Sequence, residues 1–539
     1  MFSIDQNCHS LWDALPKLQA LGGRGIAVRH FIEDIDVAFT SIGSGAGADQ
    51  LRLARERYHH GGAADWGAAM FYSEFLGRLP VDLRDWEPLT ALKTSALARQ
   101  LGRSVEDLFD EFSPSDNWQL VGPSYVGDRS HHRVIGDLTV AETANLLVAL
   151  MDKAAEDMLR AFPTPDAQGR LREWLVRERG RLDGWLARHA DGRLVDLYRA
   201  WLIEYLGEGV ELDLTSNLFA CRAGAGRSEM LEIFLADYDL AAGLYNEAIA
   251  QTGVRLRPLN TADGELPFFA ALDHQGHFVR TGAFFRSGEL VIGERSFRLA
   301  AGNRPPLEAL AEAGVRSLAG KAIVLAIQVR MGDAGGPLAL PYGGSLYMPA
   351  SHRLAEKLAA AGLLTAPLRP IVRVRFRLLE RMRSVDTTIR LPEHLAEAFG
   401  RGELPASEFA EACPALSAEA AGRLESLKTP QGRKQWQGRC FPVQVAELAE
   451  IDQRRRELAR AGPDPEKIRP LSHRARALKA ELLDLGLRQI ARDYQLSRID
   501  YWDSRGAICP WAVALGGEKF YNDIIRQAEV YEETSRNDE

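Results

Sequence analysis

Residues 322–379 read AIVLAIQVRMGDAGGPLALPYGGSLYMPASHRLAEKLAAAGLLTAPLRPIVRVRFRLL, and the order of patterns in this stretch decides the fold class. The stretch opens with an almost unbroken apolar run, Ala322 to Val329, which Arg330 ends. Such a run is typical of a strand that is covered on both faces. A glycine-rich loop, a helix at 350–361 and a second strand at 371–379 follow. The succession predicts an α/β core with the 322–329 strand at its centre.

Upstream of this core the hydrophobic period changes. Residues 1–160 read as a mixed helix and loop region, and residues 161–207 as a helical arm with leucines at helical spacing. From Val210 the period is two, and short glycine-containing turns join the strand candidates. We therefore expect an antiparallel meander inside a core that spans 208–440. The strand candidates are 254–257, 266–272, 277–281, 289–292 and 295–299.

Downstream of the core, apolar residues alternate at spacings of three and four, as in a coiled coil. Residues 462–465, Gly-Pro-Asp-Pro, separate this seam from another helical stretch. The pattern predicts an antiparallel helical hairpin at 441–500, followed by a helical tail at 501–539. The seam either packs against the body of the protein or forms a homodimer. Its members are Ile468, Leu471, Ala475, Leu478, Leu482 and Leu485.

The composition excludes several classes of protein. The 66 lysines and arginines are outnumbered by 74 aspartates and glutamates, so the chain lacks the basic excess of a general nucleic-acid or anionic-membrane binder. Five cysteines without metal-ligand spacing indicate a reducing compartment. No apolar run reaches the ~18 residues of a membrane span, and the first residues lack the basic start of a secretion signal. These features predict a cytoplasmic protein that binds neither nucleic acid nor membrane.

The glycine-rich loop is the strongest candidate for a ligand site. Glycines let backbone N–H groups approach a ligand, and the start of the next helix favours an anion. Arg330, at the exit of the predicted strand, could hold a phosphate or carboxylate. The loop matches neither common nucleotide fingerprint, so a purely structural turn is the alternative. The candidate ligand-binding residues here are Arg330, Tyr342, Gly343, Gly344, Ser345 and Tyr347.

Alternating arginines mark the strand that follows. Arg373, Arg375 and Arg377 are two residues apart, which in a strand puts three guanidinium groups on one face. If this face turned inward beside the glycine loop, the buried cations would need anionic partners. A pocket for a small anionic substrate is therefore one interpretation, and a solvated strand face is the other.

A polar, aromatic segment near the N-terminal third offers further binding groups. Asp116, Asn117, Trp118 and Tyr125 combine hydrogen-bonding groups with a stacking surface, and could bind an amine or sugar hydroxyls. Histidine pairs occur at 59–60 and 131–132, but adjacent residues do not face one way, so we expect no metal. The chain has no nucleophile elbow and no cysteine in a recognisable catalytic context, so the catalytic residues stay unknown.

The order of these segments resembles the bacillithiol-biosynthesis cysteine-adding enzymes, a family of cysteine ligases of similar length. The resemblance is collinear and is best over residues 254–380. It does not extend to the family's early loop rich in glycine and glutamine, where this chain has VDLRDWEP at 81–88. The late hairpin is also similar in placement. The matching motifs are ELPFF at 265–269, GGSLYMPA at 343–350, PIVRVR at 370–375 and DSRG at 503–506.

The resemblance implies a Rossmann-like core and a ligase-type activity. The enzyme would join cysteine, or a similar amino acid, to the amine of an amino-sugar conjugate in the synthesis of a low-molecular-weight thiol. ATP or ADP is the candidate nucleotide. Orientation and anion stabilisation are the main demands of such a reaction, so it needs no protein nucleophile. The alternative is a noncatalytic assembly protein that dimerises through the hairpin.

Overall fold

The structure is a computed structural model. It describes residues 1–4, 11–36, 83–105, 107–108, 126–127, 130–206, 209–222, 228–254, 256–343, 347–391, 393–462, 464–497 and 508–533.

Strands occur from the beginning to the end of the described chain. In chain order they are β1 (Phe2–Ile4), β2 (Val28–Ile32), β3 (His132–Arg133), β4 (Val210–Leu214), β5 (Glu265–His274), β6 (His277–Arg286), β7 (Glu289–Ile292), β8 (Arg295–Arg298), β9 (Val315–Gly320), β10 (Leu338–Pro341), β11 (Ile371–Arg375), β12 (Thr388–Arg390), β13 (Glu403–Pro405) and β14 (Glu529–Glu532).

Helices fill most of the segments between the strands. In chain order they are α1 (Leu11–Gly22), α2 (Leu83–Thr90), α3 (Thr94–Leu101), α4 (Val140–Ala161), α5 (Pro165–Arg188), α6 (Leu194–Tyr205), α7 (Thr215–Leu218), α8 (Glu229–Ala236), α9 (Tyr238–Thr252), α10 (Leu307–Glu312), α11 (Ala322–Gln328), α12 (Met348–Ala360), α13 (Leu378–Met382), α14 (Glu393–Phe399), α15 (Ala406–Ser426), α16 (Pro430–Cys440), α17 (Pro442–Ala461), α18 (Pro465–Leu496) and α19 (Ile508–Gln527).

A mostly parallel sheet forms one layer of the molecule. Its strand order is β14-β11-β10-β1-β2-β4, and every neighbouring pair is parallel except β11 with β14. The predicted α/β class is therefore confirmed at this level. The sheet takes β1 and β2 from the first 32 residues and β14 from the end of the chain, so it is not confined to 208–440.

The apolar run at 322–329 is a helix, α11, and its prediction as a central strand is wrong. An eight-residue apolar run has no polar face, so periodicity cannot separate a buried strand from a buried helix. Ile323 and Ile327 of α11 belong to the core of the meander, whereas Ala326 and Val329 pack under the parallel sheet. Because α11 is covered on opposite sides, it is apolar all round.

Part of the predicted glycine loop is a strand instead. Leu338–Pro341 forms β10, between β1 and β11 near the centre of the parallel sheet. The predicted helix at 350–361 is confirmed as α12, which connects β10 to its parallel neighbour β11. The predicted order of strand, helix and strand is therefore present, but its first strand is β10 and not the run at 322–329.

The second predicted strand of the core is shorter than expected. β11 ends at Arg375, and Leu378 already begins α13. Arg377 has a left-handed backbone (φ of 51°) and its Nε donates to Glu529 at 2.7 Å. Arg377 therefore does not share a strand face with Arg373 and Arg375, contrary to the prediction.

The predicted meander is confirmed. Five antiparallel strands follow the order β8-β7-β6-β5-β9, and the short β3 pairs with β6. The candidates at 266–272, 277–281, 289–292 and 295–299 correspond to β5, β6, β7 and β8. The candidate at 254–257 is wrong, because its described residues, 254, 256 and 257, pair in no strand.

One face of the parallel sheet packs against the meander. Leu338, Leu340 and Ile371 on this face share a hydrophobic cluster with Phe278 and Ala319 of the meander. The opposite face, which includes Ala339 and Val374, packs into a larger cluster built mainly by helices. The two layers thus meet at one common core, and the exit of β2 comes close to the beginning of β6.

The C-terminal helices α17 and α18 form a hairpin. Glu447 accepts from Arg474 at 2.7 Å, whereas Gln444, one turn earlier, reaches Glu481 further along, so the two helices run antiparallel. The seam residue Leu478 is fully buried against Ile451. Leu471, Ala475 and Leu478 of the heptad seam therefore pack against α17 within the chain.

Within the described part of the chain, none of the helices combines the length and the apolar character that crossing a lipid bilayer requires.

Candidate functional site

The exit of β2 places three acidic residues at the carboxyl edge of the parallel sheet. This is the edge at which α/β proteins bind their ligands. Ile32 ends the strand, and Glu33, Asp34 and Asp36 follow directly. Glu33 and Asp34 are both buried, with 7% and 2% of their surface exposed. Carboxyl groups are rarely buried to this degree, so the cluster is the leading candidate for a site.

Asp34 is held by the backbone on two sides. Its Oδ1 accepts from the N–H of Ser216 at 2.8 Å, at the beginning of α7. Its carbonyl oxygen accepts from the N–H of Gly136, also at 2.8 Å. Burial raises the pKa of Asp34 to about 6, although the hydrogen bonds from Ser216 act in the opposite direction. The carboxyl group is therefore positioned rigidly and titrates near neutral pH.

The pKa of Glu33 is also raised. Its Oε1 accepts from the N–H of Ile35 at 3.1 Å. Burial, followed by the negative charges of Asp36 and Asp34, raises the pKa of Glu33 well above its ordinary value, and Arg280 lowers it only in part. Burial of neighbouring carboxyl groups disfavours their charged forms, so the arrangement favours the protonated form of Glu33.

Arg280 brings a positive charge to the cluster from the other sheet. It lies on β6, and its Nη1 donates to Asp36 Oδ1 at 2.6 Å. Its Cζ is 4.4 Å from the centre of the Phe269 ring on β5, so the guanidinium group stacks on an aromatic face. The site is thus assembled between the two sheets and includes both acids and a fixed cation.

A tight 3-10 turn, Ile135–Asp137, closes the site on one side. A side-chain carbon on Gly136 would lie 2.9 Å from the carbonyl oxygen of Asp34, so only glycine allows this approach. Asp137 then accepts from the backbone N–H of Phe278 at 2.8 Å and contacts His277 Nδ1 at 2.9 Å. The turn therefore ties the exit of β2 to the beginning of β6.

This arrangement can perform proton transfer. A buried carboxyl group with a pKa near 6 is partly protonated at neutral pH, so it can both accept and donate a proton. Arg280 can offset negative charge on a ligand or a reaction intermediate. The sequence analysis missed these residues because it did not recognise β2. The available signal was the strand pattern at 28–32 followed at once by Glu33, Asp34 and Asp36.

The sequence predicts Arg330 at the exit of a strand, but in the structure Arg330 follows the end of helix α11. Its Nε donates to the carbonyl oxygen of Arg369 at 2.5 Å, directly before β11. Burial lowers the pKa of Arg330 to about 10, and the charge of Glu533 raises it in part. The side chain therefore lies at the amino end of β11, on the opposite edge of the sheet from Asp34.

Arg373 is buried, and its anionic partner belongs to the chain itself. Its Nε donates to Glu533 Oε2 at 3.0 Å, and its Nη1 donates to the carbonyl oxygen of Pro341 at 3.0 Å. His352 Nε2 lies 3.3 Å from the other oxygen of Glu533. The predicted inward-facing cation is present, but Glu533 neutralises it.

Arg375 stacks on Tyr342. Its Cζ is 4.1 Å from the ring centre, and Tyr342 N–H donates to the Val374 carbonyl at 2.9 Å. Tyr347 immediately precedes α12 and packs against the core of the meander. Gly343 follows Tyr342 in a turn. The structure therefore brings Tyr342 and Arg375 together.

The other predicted site residues lie outside the described residues: Asp116, Asn117, Trp118, Tyr125, Gly344 and Ser345. The predicted arginines form a group apart from the acids, because β10 and β1 separate β11 from β2 in the sheet.

At two glycines of the predicted loop, neighbouring atoms fill the space that a side chain would need. A side-chain carbon on Gly335 would lie 2.3 Å from the carbonyl oxygen of Met331, and one on Gly336 would lie 2.8 Å from the Phe2 ring. Both glycines thus allow the chain to turn tightly into β10. For these two positions the structural interpretation holds.

We expect Gly335→Ala to destabilise the protein by about 2–3 kcal/mol, because the clash is with backbone atoms that cannot move aside. Urea unfolding measures the effect. Gly243→Ala is the matched control: beyond the backbone of α9 itself, no atom lies within 4 Å of the added carbon, and alanine favours a helix by about 1 kcal/mol over glycine. Equal stability of both variants would show that the turn at 335 tolerates a side chain.

A shallow hollow of about 430 Å³ lies at the amino edge of the parallel sheet. In its lining, Arg29 Nε and Glu211 Oε1 are 3.3 Å apart, and the two side chains are 43% and 67% exposed. Because these charges already pair with each other in water, the hollow is a weaker candidate than the acidic cluster.

Among the described residues, no three histidines, cysteines, aspartates or glutamates are grouped as metal ligands. Comparisons of the chain with protein-family models, with curated proteins and with solved structures find no match.

Proposed function

We propose that the protein is an enzyme of the carbon–nitrogen ligase type, with its active site at the exit of β2. The proposal rests on the environment of Asp34. This side chain lies at the carboxyl edge of a parallel sheet and is only 2% exposed, and the pKa of its carboxyl group is raised to about 6. Groups with such shifts are concentrated at active sites, because catalytic acids and bases need a pKa near the working pH.

In this proposal Asp34 accepts a proton from the attacking amine. Amide formation requires the nitrogen to bond to the carbonyl carbon, the leaving group to depart with its electron pair, and the nitrogen to lose a proton. Asp34 takes this proton, and Arg280 offsets the negative charge that develops on the carbonyl oxygen. The carboxylate must be activated beforehand, and ATP is the proposed co-substrate for that step.

The substrates follow from the resemblance described above. The proposed reaction joins cysteine, or a similar amino acid, to the amine of an amino-sugar conjugate. The proposal includes membership of the cysteine-adding family and a Rossmann-like core. The loop from β10 to α12 is the proposed contact for the nucleotide, ATP or ADP. The mostly parallel sheet, the meander and the C-terminal helices support this proposal.

The direct test is an assay for the product. The purified chain is incubated with ATP, isotopically labelled cysteine and an O-glycoside of glucosamine, and mass spectrometry detects the labelled amide. We expect product with the wild type and a loss of about 100-fold or more in rate with Asp34→Asn, because asparagine cannot accept the proton. The wild-type kcat/KM should rise as the pH increases through about 6.

Asp273→Asn provides the control. Asp273 also pairs with an arginine, Arg316, but it lies on the exposed side of the meander and is half exposed. We expect this variant to retain the wild-type rate. Absence of the labelled amide with every nucleotide and amino acid tried would overturn the ligase proposal. Equal rates for the two variants would remove Asp34 from the mechanism.

A further inference from the structure

An arginine and a histidine from separate parts of the chain bind one carboxylate. Arg373 on β11 binds Glu533 Oε2 through Nε and Nη2, each at 3.0 Å. His352 on α12 approaches Oε1 at 3.3 Å. Arg330, which follows α11, is nearby in the fold: its Nε donates to the carbonyl oxygen of Arg369, just before β11. The arrangement therefore has the composition of an anion-binding site, with both carboxylate oxygens engaged.

The site is built into the fold and is not a chance surface pair. Arg373 is 7% exposed and Arg330 is 8% exposed. Arg373 is also fixed by its bond to the Pro341 carbonyl. The pKa of Glu533 is lowered to about 2; its bonds to His352 and Arg373 outweigh burial, which acts in the opposite direction. The carboxylate is therefore ionised at every physiological pH.

The carboxylate comes from the edge of the sheet. Glu533 directly follows β14, the outermost strand of the sheet, which pairs with β11 through only four residues. Tyr531 and Glu532 of this strand are exposed. Edge segments with few buried apolar contacts open locally at a much lower cost than global unfolding. Arg373 and His352, by contrast, lie on β11 and α12.

We propose that Arg373 and His352 form a binding site for an oxyanion, a carboxylate or a phosphate, and that Glu533 is an intramolecular occupant which this ligand displaces. A carboxylate or phosphate can present two oxygens to Arg373 and His352 as Glu533 does. The site lies at the amino half of β11, so it is distinct from the acids at the exit of β2. The inference does not depend on the proposed ligase activity.

Displacement sets the affinity that would be measured. If the strand is closed for most of the time, the apparent dissociation constant of the ligand rises in proportion to the inverse of the open fraction. A strand that is open about one per cent of the time would weaken binding about 100-fold. Removing the negative charge of Glu533 therefore strengthens oxyanion binding, although it deletes a favourable contact of the folded chain.

The test compares four full-length proteins: the wild type, Glu533→Gln, Glu532→Gln and the double variant Glu533→Gln with Arg373→Gln. Calorimetric titrations use inorganic phosphate in one arm and acetate in the other. We expect Glu533→Gln to bind phosphate or acetate at least tenfold more tightly than the wild type. Glu532→Gln, which removes the same charge from an exposed neighbour, should resemble the wild type, and the double variant should lose the gain.

Hydrogen exchange in the wild type gives a second readout that needs no variant. We expect millimolar phosphate or acetate to increase amide exchange at residues 530–533, because the ligand releases the strand. This measurement decides the question if Glu533→Gln fails to fold. Unchanged exchange in the wild type, or equal affinity of Glu533→Gln and Glu532→Gln for both anions, would overturn the proposal. The anion that binds more tightly, phosphate or acetate, identifies the class of oxyanion that the site prefers.

Discussion

Asp34→Asn is expected to increase the free energy of unfolding by about 3 kcal/mol at pH 8. The pKa of Asp34 is raised from 3.8 to about 6 in the folded protein. Each pKa unit corresponds to about 1.4 kcal/mol, so ionising this buried carboxyl group costs about 3 kcal/mol of stability. Asparagine has the same shape, and its Oδ1 can still accept from the Ser216 N–H. The substitution therefore removes the cost and retains the contact.

The effect has a defined pH window. Below about pH 4 the carboxyl group is protonated in both the folded and the unfolded chain, so it contributes no difference. Between about pH 4 and pH 6 the unfolded chain is ionised and the folded chain is not, so wild-type stability falls as the pH rises. Above about pH 6 the carboxyl group is ionised in both states, so the full free-energy cost of ionising it in the folded protein is present. The negative charge of Asp213 strengthens the effect, whereas the hydrogen bonds from Ser216 weaken it.

Urea unfolding at pH 4 and at pH 8 measures this prediction. The gain of Asp34→Asn over the wild type should be present at pH 8 and should largely disappear at pH 4. Asp273→Asn should show no gain, since its carboxylate is half exposed and paired with Arg316. A variant less stable than the wild type at pH 8 would show that Asp34 contributes to folding as an ion, contrary to the raised pKa.

If the gain in stability accompanies the loss of ligation, Asp34 is retained for function at the expense of folding. Residues with only a structural role do not give this combination, because their replacement lowers stability as well as activity. The same variant thus tests the electrostatics of the site and its proposed chemistry by independent measurements.

Leu478→Asp is expected to destabilise the hairpin by about 4 kcal/mol or more. Leu478 is fully buried between α17 and α18, where it packs with Ile451 and Ala475. The substitution removes a buried leucine side chain and introduces a carboxylate without a partner. Hydrogen exchange over residues 442–496 and thermal unfolding followed by circular dichroism measure the loss. The exchange data show whether it is confined to the hairpin.

Val443→Asp is the matched control in the same hairpin. Val443 is 73% exposed on α17, so the change should shift stability by no more than about 0.5 kcal/mol. Mass in solution is measured for both variants and the wild type, because assembly through the seam was the alternative function. A folded Leu478→Asp chain with half the wild-type mass would show that the seam joins two copies. That result would favour the noncatalytic assembly protein over the proposed ligase.

Several elements could be predicted from the sequence because their signals are local. The strands of the meander alternate with period two and are joined by turns such as Gly288 and Gly293, both of which have positive φ. Helix α12 and the hairpin show their helical spacing directly. For these elements the spacing of the hydrophobic residues indicates which face is buried, and the turn residues indicate where the chain reverses.

The candidate site was harder to predict, for two physical reasons. β1 and β2 are short strands far from the apolar segments that revealed the core, so the sequence did not indicate that Asp34 lies at the carboxyl edge of a sheet. Glu533 and Arg373 are 160 residues apart, and no local pattern marks them as partners. Their pairing exists only because β14 adds to the edge of the sheet beside β11.

The amino-acid sequence by itself determined the α/β class, the antiparallel meander, α12 and the C-terminal hairpin, since periodicity and turn chemistry act over a few residues. The tertiary structure alone decided that the apolar run at 322–329 is a helix, because a segment covered on opposite sides has no polar face to reveal its period. The tertiary structure also decided which charges meet. Burial of Asp34 and neutralisation of Arg373 both depend on strands that the chain brings together from its two ends.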